Sequence, residues 1–253
     1  MNLHKLLFIF LIINFTFFYS SKSYANNDYC SYNVDNLPAN VLIIDTHSLV
    51  NADGDFNKEA IKTFQSGLKN IKNNTQLGQK FIIYKYTKDG SPQRIFDECK
   101  PGCPETSVLK RIVGGACNKG ESLGDIKRYG NNSNDSIAVA IIEAKKNTNK
   151  NNSIISKITS LSNEFKQLSS NDNIYIFTNL IENSHYGNFN NIDNEDIFHK
   201  TFVKVVNNDL VPKNYGDNIK IYGVESHKLV LEFWNDLFSI NNSKPQLMSN
   251  LLD

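Results

Sequence analysis

The clearest hydrophobic segment of the chain is an unbroken apolar run at 41–44, which ends in Asp45. A continuous run of this kind is typical of a strand buried on both faces, as in a parallel sheet. Comparable runs at 81–86, 173–178 and 219–224 each predict a further strand. We predict that strand one, at 41–46, lies at the centre of the sheet, with the 173–178 strand as its neighbour.

Segments with a helical period separate these strands. Apolar residues recur every three or four positions in each, which is typical of a helix packed by one face on a sheet. Asp55 or Asn57, Ser153 and Ser226 are the predicted N-caps of three of them. Trp234 falls in the widest stripe, which predicts a core position. The predicted helices cover 57–72, 154–168, 193–207 and 226–238.

The stretch 89–134 departs from this alternation. It is rich in Pro and Gly and carries three of the four cysteines, so we predict a long loop excursion with a short strand at 93–96. The segment 137–146 favours a helix. Together these patterns predict an α/β fold of the Rossmann-like, doubly wound type, with a mainly parallel central sheet flanked by helices.

The first 25 residues have the pattern of a secretory signal. Lys5 precedes an apolar stretch at 6–19, and Ser23-Tyr24-Ala25 has the small residues of a cleavage site. We predict cleavage after Ala25 and export to the periplasm or medium; the alternative is an uncleaved membrane anchor at the N-terminus. The predicted organisation is then a polar lead-in at 26–40, one α/β domain at 41–240 and a tail at 241–253.

The charge balance bears on the class of partner. The chain has 27 basic and 26 acidic residues, and it has no basic run. This balance argues against nucleic acid as a partner. After signal cleavage no apolar stretch is long enough to cross a bilayer, so no membrane span is expected.

Four cysteines predict two disulfides that pin the 89–134 excursion to itself and to the lead-in. Three pairings are open. The pairing of Cys99 with Cys103 is the least favoured, because it closes a very tight loop. A zinc site is a weaker alternative, because the spacing lacks the paired short intervals of structural zinc sites. The cysteines are Cys30, Cys99, Cys103 and Cys117.

Four short stretches resemble the von Willebrand factor A-like fold, and more closely a loosely defined, mostly uncharacterised group of secreted bacterial proteins built on it. The resemblance implies a protein-interaction module without catalytic activity. It also implies a cation site for Mg²⁺ at the point where the sheet reverses its winding. The stretches are Ile-Ile-Asp-Thr at 43–46, Cys-Lys-Pro-Gly at 99–102, Ile-Phe-Thr-Asn-Leu-Ile-Glu-Asn-Ser at 176–184, and Tyr-Gly-Val at 222–224 leading into Phe-Trp at 233–234.

Within that resemblance Asp45 matches the first acid of the cation site. His47 and Leu49 occupy the two hydroxyl positions of the family's Asp-x-Ser-x-Ser pattern, and Asn179 stands where a later acid is usual. The site implied here is therefore degenerate, and an amide supplies oxygen without the charge that a hard cation prefers. The candidate ligands are Asp45, Thr46, Ser48, Ser153 and Asn179, with His47, Glu182 and His185 at the rim.

Two other functions compete with a binding module. Asp45-Thr46-His47 is an Asp-x-His after a strand, the opening pattern of metallophosphoesterases, which would make the protein a metal-dependent hydrolase. Such enzymes need a second Gly-Asp and an Asn-His to hold two metals. Gly54-Asp55 follows too soon, and the sequence contains no Asn-His pair. The remaining alternative is a structural component of an envelope assembly.

Overall fold

A mixed six-stranded sheet flanked by helices forms the body of the computed structural model. The predicted signal peptide at 1–25 and the end of the tail lie outside the described residues, so the predicted cleavage stays a prediction. The described residues are 29–33, 35–51, 53–86, 90–103, 119–146, 152–165, 171–190 and 194–248.

Strands and helices alternate along most of this length. The strands are β1 (Asn40–Ile44), β2 (Lys80–Tyr86), β3 (Pro92–Cys99), β4 (Asn173–Phe177), β5 (Ile219–Tyr222) and β6 (Gln246–Met248). The helices are α1 (Lys58–Asn74), α2 (Lys119–Lys146), α3 (Ile154–Glu164), α4 (Glu195–Asn207) and α5 (Lys228–Ser239). Two short 3₁₀ helices cover Tyr29–Tyr32 and Thr46–Leu49.

The strand order is β3-β2-β1-β4-β5-β6. β1 pairs in parallel with both β2 and β4, and Ile44 lies opposite Phe177. β5 and β6 continue the parallel arrangement, whereas β3 runs antiparallel to β2. The prediction that β1 is central and adjoins β4 is confirmed. The winding reverses between these two strands, which in open α/β sheets is where ligands bind.

All five residues of β1 are buried, because hydrophobic layers cover both faces of the sheet. Val41 and Ile43 belong to the layer with α3, α4 and α5, whose centre includes Trp234. Leu42 and Ile44 belong to the opposite layer, with α1 and α2. This two-sided burial is the physical reason for the unbroken apolar run in the sequence.

The prediction of a short strand at 93–96 within the 89–134 excursion is confirmed, whereas the prediction of a loop over 119–134 is wrong. β3 extends over eight residues, and α2 begins at Lys119, so 119–134 is helical. The hydrophobic period in α2 is hard to see because its buried face is mostly small or polar. That face carries Ser122, Tyr129, Ser133, Ile137, Ala140 and Ala144. Residues 104–118 lie outside the described part of the chain.

The lead-in is bonded covalently to the sheet. Cys30 and Cys99 form a disulfide with a Cα–Cα distance of 5.2 Å, so the predicted link between lead-in and excursion is confirmed. Cys103 is also disulfide-bonded, while Cys117 lies outside the described residues. Lys100, next to Cys99, donates to the carbonyl oxygens of Lys72 and Thr75 at the end of α1. The Cys-Lys-Pro-Gly stretch therefore has a structural role.

Two details near the C-terminus differ from expectation. The N-cap of α5 is His227 instead of Ser226, and its side chain makes no capping hydrogen bond. The tail contributes β6, which pairs with β5. Trp234 is fully buried, as predicted, and its indole N–H donates to the carbonyl oxygen of Leu180. No helix in the described part of the chain has the length and apolarity to cross a membrane.

Candidate functional site

Asp45 follows β1 directly and is completely buried at the carboxyl edge of the sheet. Its backbone N–H donates to the carbonyl oxygen of Phe177, which continues the β1–β4 pairing by one residue. Its side chain caps the following 3₁₀ helix and accepts a hydrogen bond from the backbone N–H of His47. Local sequence thus explains the position of Asp45, because a short acid suits a helix N-cap.

The partner of this carboxylate is a buried lysine. The Nζ atom of Lys157, on α3, lies 2.7 Å from Oδ1 of Asp45. The Lys157 side chain is only 5% exposed and that of Asp45 is 0% exposed. The candidates predicted from the sequence did not include Lys157, although this residue lies between Ile154 and Leu161 on the apolar stripe of α3. A lysine inside such a stripe was the signal that could have revealed it.

The other carboxylate oxygen of Asp45 is also engaged. Ser48 Oγ lies 2.9 Å from Oδ2, and Thr178 Oγ1 lies 3.2 Å from it. Asn152 Nδ2 is a more distant donor at 3.5 Å. Both oxygens of Asp45 therefore accept from groups of this chain.

Lys157 has further neighbours besides Asp45. Its ammonium donates to Oδ1 of Asn152, and His47 Nδ1 lies 3.5 Å away. The ring of Tyr86 adds a cation–π contact, with Nζ 5.2 Å from the ring centroid. The ammonium group therefore has two oxygen acceptors, Asp45 Oδ1 and Asn152 Oδ1, and a ring nitrogen of His47 as a third polar neighbour. We call Asp45, His47, Asn152 and Lys157 the ion-pair cluster.

Two opposing effects act on Asp45. Burial alone raises the pKa of this carboxyl group, because the charged form loses hydration. The Lys157 ammonium and the contacts with His47 outweigh burial and hold the pKa well below its usual range. Asp45 is therefore ionised at neutral pH, and Lys157 balances its charge.

Ser48 connects the ion-pair cluster to Asn179, which follows β4 by two residues. Ser48 Oγ lies 3.3 Å from Asn179 Oδ1, and it accepts from the backbone N–H of Asn179 at 3.2 Å. The structure therefore brings together Asp45, Ser48 and Asn179, as the sequence predicted. Thr46 is buried beside them, at the start of the 3₁₀ helix.

The remaining candidates lie in other surroundings. Ser153 caps α3, where its hydroxyl contacts Ser156. Glu182 is buried and accepts from the backbone N–H of Ile155 at 2.8 Å and from the Ser184 hydroxyl. His185 is exposed, and its ring lies against that of Tyr186, with centroids 3.9 Å apart. None of these three residues is among the groups described above that contact the Asp45 carboxylate.

Glu182 is a second unusual carboxyl group. Burial raises its pKa to about 7, although hydrogen bonds from Ser184 and from the first turn of α3 act in the opposite direction. Near neutral pH this side chain therefore exists in both protonation states.

The ion-pair cluster does not fit a divalent cation. Magnesium prefers several oxygen ligands, including one or two carboxylates and waters, in nearly octahedral geometry. Here Asp45 is the single carboxylate, and an ammonium group already lies at hydrogen-bonding distance from it. A second cation would be repelled by Lys157 at close range. The residues present therefore do not fit the magnesium implied by the family resemblance.

A cleft opens beside this cluster at the same edge of the sheet. Its volume is about 440 Å³, and its walls are the turn after β1, the first turns of α1 and the loop after β5. Ser48 and Asn179 line it, so it adjoins the cluster, and its lining includes two acidic residues, Glu59 and Glu225. The opening lies where doubly wound folds bind their ligands.

Among the described residues, no three His, Cys, Asp or Glu side chains lie close enough to hold a metal together. This part of the chain therefore does not supply the two-metal centre that a metallophosphoesterase mechanism needs.

Comparison with known proteins gives no family: no protein-family model matches the chain, and no curated protein matches it.

Proposed function

We propose that this protein is an exported, non-catalytic protein-binding module of the von Willebrand factor A-like type, which binds its partner at the carboxyl edge of the sheet. The observation that carries the proposal is the cleft beside the ion-pair cluster. It has a volume of about 440 Å³, which is large enough to receive a side chain from a partner. Its position at the reversal of the winding is the usual binding position in open α/β sheets.

The chemistry of the cluster favours binding over catalysis. A general base must be able to reach a proton of the substrate. The carboxylate of Asp45 is instead buried and neutralised by Lys157. A mainly parallel sheet with β1 beside β4 and helices on both faces is consistent with the resemblance on which the proposal rests.

The margin of the cleft suggests the character of the partner. Glu59 is exposed and Glu225 half-buried, and both residues line the cleft. Asn57 and Asn179 add amide groups. Negative charge at the entrance favours a partner surface that carries Lys or Arg, because complementary charge speeds encounter and fixes register.

The test is capture of partners from a periplasmic extract by the immobilised mature protein. Wild type is compared with a cleft variant, Glu59→Lys/Glu225→Lys, and with a matched control, Glu232→Lys on the exposed side of α5. We expect wild type and the control to retain the same protein and the cleft variant to lose it. Equal capture by all three proteins would contradict a role for the cleft, and hydrolysis of a phosphoester by wild type would support the enzyme alternative instead.

A further inference from the structure

The centre of the site holds a positive charge supplied by the protein itself. Lys157 Nζ touches a carboxylate oxygen of Asp45 at 2.7 Å and the amide oxygen of Asn152, and it has the imidazole nitrogen of His47 at 3.5 Å. A carboxylate, an amide oxygen and an imidazole nitrogen are also the groups that bind divalent ions such as Mn²⁺. The ammonium thus lies at the point on which a small set of metal-binding groups converges.

We infer that the Lys157 ammonium is the resident cation of this site, and that it makes the protein independent of divalent metal there. The side chain reaches the site from α3, 112 positions along the chain from Asp45. It joins the end of β1 to α3, as a shared metal ion would join two loops. This inference does not depend on the proposed binding function.

Burial explains why a metal ion does not displace the Lys157 ammonium from this position. Lys157 and Asp45 are both almost inaccessible to solvent, and a buried ion pair broken on one side leaves an uncompensated charge. A metal ion would have to displace the ammonium from a position where it is attached covalently to the fold. Free Mg²⁺ also keeps several waters, for which this packed position offers no room while Lys157 is present.

Removal of the lysine side chain should uncover the metal-binding groups. In Lys157→Ala, Asp45 Oδ1, Asn152 Oδ1 and His47 Nδ1 remain, and the lost chain leaves space for an ion and water. Because a ligand that binds only the folded state stabilises it, Mn²⁺ at a hundred times its Kd should raise Tm by roughly 5–10 °C. Wild type should show the same Tm in EDTA, Mg²⁺ and Mn²⁺.

The experiment is thermal unfolding of the mature protein in EDTA, MgCl₂ and MnCl₂, for wild type and Lys157→Ala. The double variant Asp45→Asn/Lys157→Ala should lose the response to Mn²⁺, because its carboxylate is gone. Lys213→Ala, which removes an exposed lysine paired with Asp209, is the matched control and should behave as wild type.

Two results would overturn the inference: a rise in the Tm of wild type with Mg²⁺ or Mn²⁺ that EDTA reverses, or a folded Lys157→Ala protein that no metal stabilises. If Lys157→Ala folds only when Mn²⁺ is present, this result supports the inference, because the metal then stabilises the folded state. If Lys157→Ala folds in neither condition, the response of wild type to metal decides the matter alone.

Discussion

A lysine buried against a carboxylate is costly to form, because each ion gives up hydration that only its partner and neighbours can replace. In this protein, hydrogen bonds with neighbouring side chains replace the hydration that the two ions lose. Asp45 accepts from Ser48 and Thr178 as well as from Lys157, and the ammonium finds Asn152. The energetic consequence is asymmetric. The intact pair contributes little net stability, whereas removal of one partner, which leaves the other charge buried and unpaired, is strongly destabilising.

We therefore predict that Lys157→Met lowers the free energy of unfolding by about 3–5 kcal/mol, because it leaves the Asp45 carboxylate buried and unpaired. The double variant Asp45→Asn/Lys157→Met should recover at least half of that loss. The measurement is urea unfolding in EDTA, with Lys213→Met as the control, since removal of its exposed pair should change stability by about 1 kcal/mol or less. Equal loss in the single and double variants would show that the two charges are not coupled.

Glu182 leads to a prediction about pH. Because folding raises its pKa from 4.5 to about 7, the folded state binds this proton more tightly than the unfolded chain does. Its contribution to stability is fully present below about pH 4.5 and is lost as the pH rises through 7.

Between pH 5 and pH 8, Glu182 should reduce the stability of wild type by on the order of 2 kcal/mol. Glu182→Gln should remove most of this dependence, whereas Glu232→Gln, at an exposed position on α5, should leave it unchanged. Urea midpoints at the two pH values provide the measurement. The same slope in wild type and Glu182→Gln would assign the pH dependence to another group.

At the scale of elements, local patterns predicted most helices and strands but not their packing partners. The stripes of α1, α3 and α4 and the runs of β1, β2, β4 and β5 have the positions expected within a few residues. The full extents of β3 and α2 were harder to predict from the sequence. β3 is an edge strand whose residues are mostly half-buried or exposed, and the buried face of α2 contains serines and alanines. Periodicity of hydrophobic residues cannot reveal a face that is not hydrophobic.

The turn between α1 and β2 shows how closely the lead-in packs on the domain. Gly78 has φ +74°, and a Cβ atom there would lie 2.5 Å from the backbone nitrogen of Asn33 and 2.6 Å from the carbonyl carbon of Tyr32. Glycine is required for both reasons, because other residues are strained at this φ and a side chain would push the lead-in away.

Gly78→Ala should therefore destabilise the protein by at least about 1–3 kcal/mol. Gly124, within α2, provides the contrasting case, since nothing lies within 4 Å of its missing Cβ. Gly124→Ala should be neutral or stabilise by about 0.5–1 kcal/mol, because glycine is a poor helix former. Thermal unfolding of the two variants tests the pair, and a similar effect of both substitutions would contradict the packing of the lead-in on Gly78.

At the scale of the whole molecule, the parallel arrangement places the carboxyl ends of β1, β2, β4, β5 and β6 at one edge of the sheet. The ion-pair cluster and the cleft both lie at this edge, between the loops that follow β1, β4 and β5. Residues distant in sequence meet there because parallel strands share their direction, and this explains why polar side chains after separate strands form one site.

The disulfide between Cys30 and Cys99 closes a covalent loop whose ends are separated by 69 positions. Cross-linking over such a distance restricts the unfolded chain, and the chain-entropy relation gives a stabilisation of about 4 kcal/mol. Cys30→Ser/Cys99→Ser should lower the free energy of unfolding by about 2–4 kcal/mol.

The matching assay is thiol titration of the unfolded, unreduced protein, which should find no free cysteine when the chain is exported. Chain retained in a reducing compartment should show free thiols and the stability of the double serine variant. Four free thiols in exported protein would contradict the predicted pair of disulfides.

The sequence by itself determined the order of most elements, the central position of β1, the location of the site at its carboxyl end, and the proximity of Asp45, Ser48 and Asn179. The order of the elements follows from local periodicity, and the other predictions rested also on the resemblance to the von Willebrand factor A-like fold, in which parallel strands end at one edge of the sheet. Only the tertiary structure decided that Lys157 neutralises Asp45, because the two residues are 112 positions apart and no local pattern encodes which buried charge meets which. The pairing of β6 with β5 was decided in the same way, since an edge strand of three residues is defined by its neighbour and not by its own sequence.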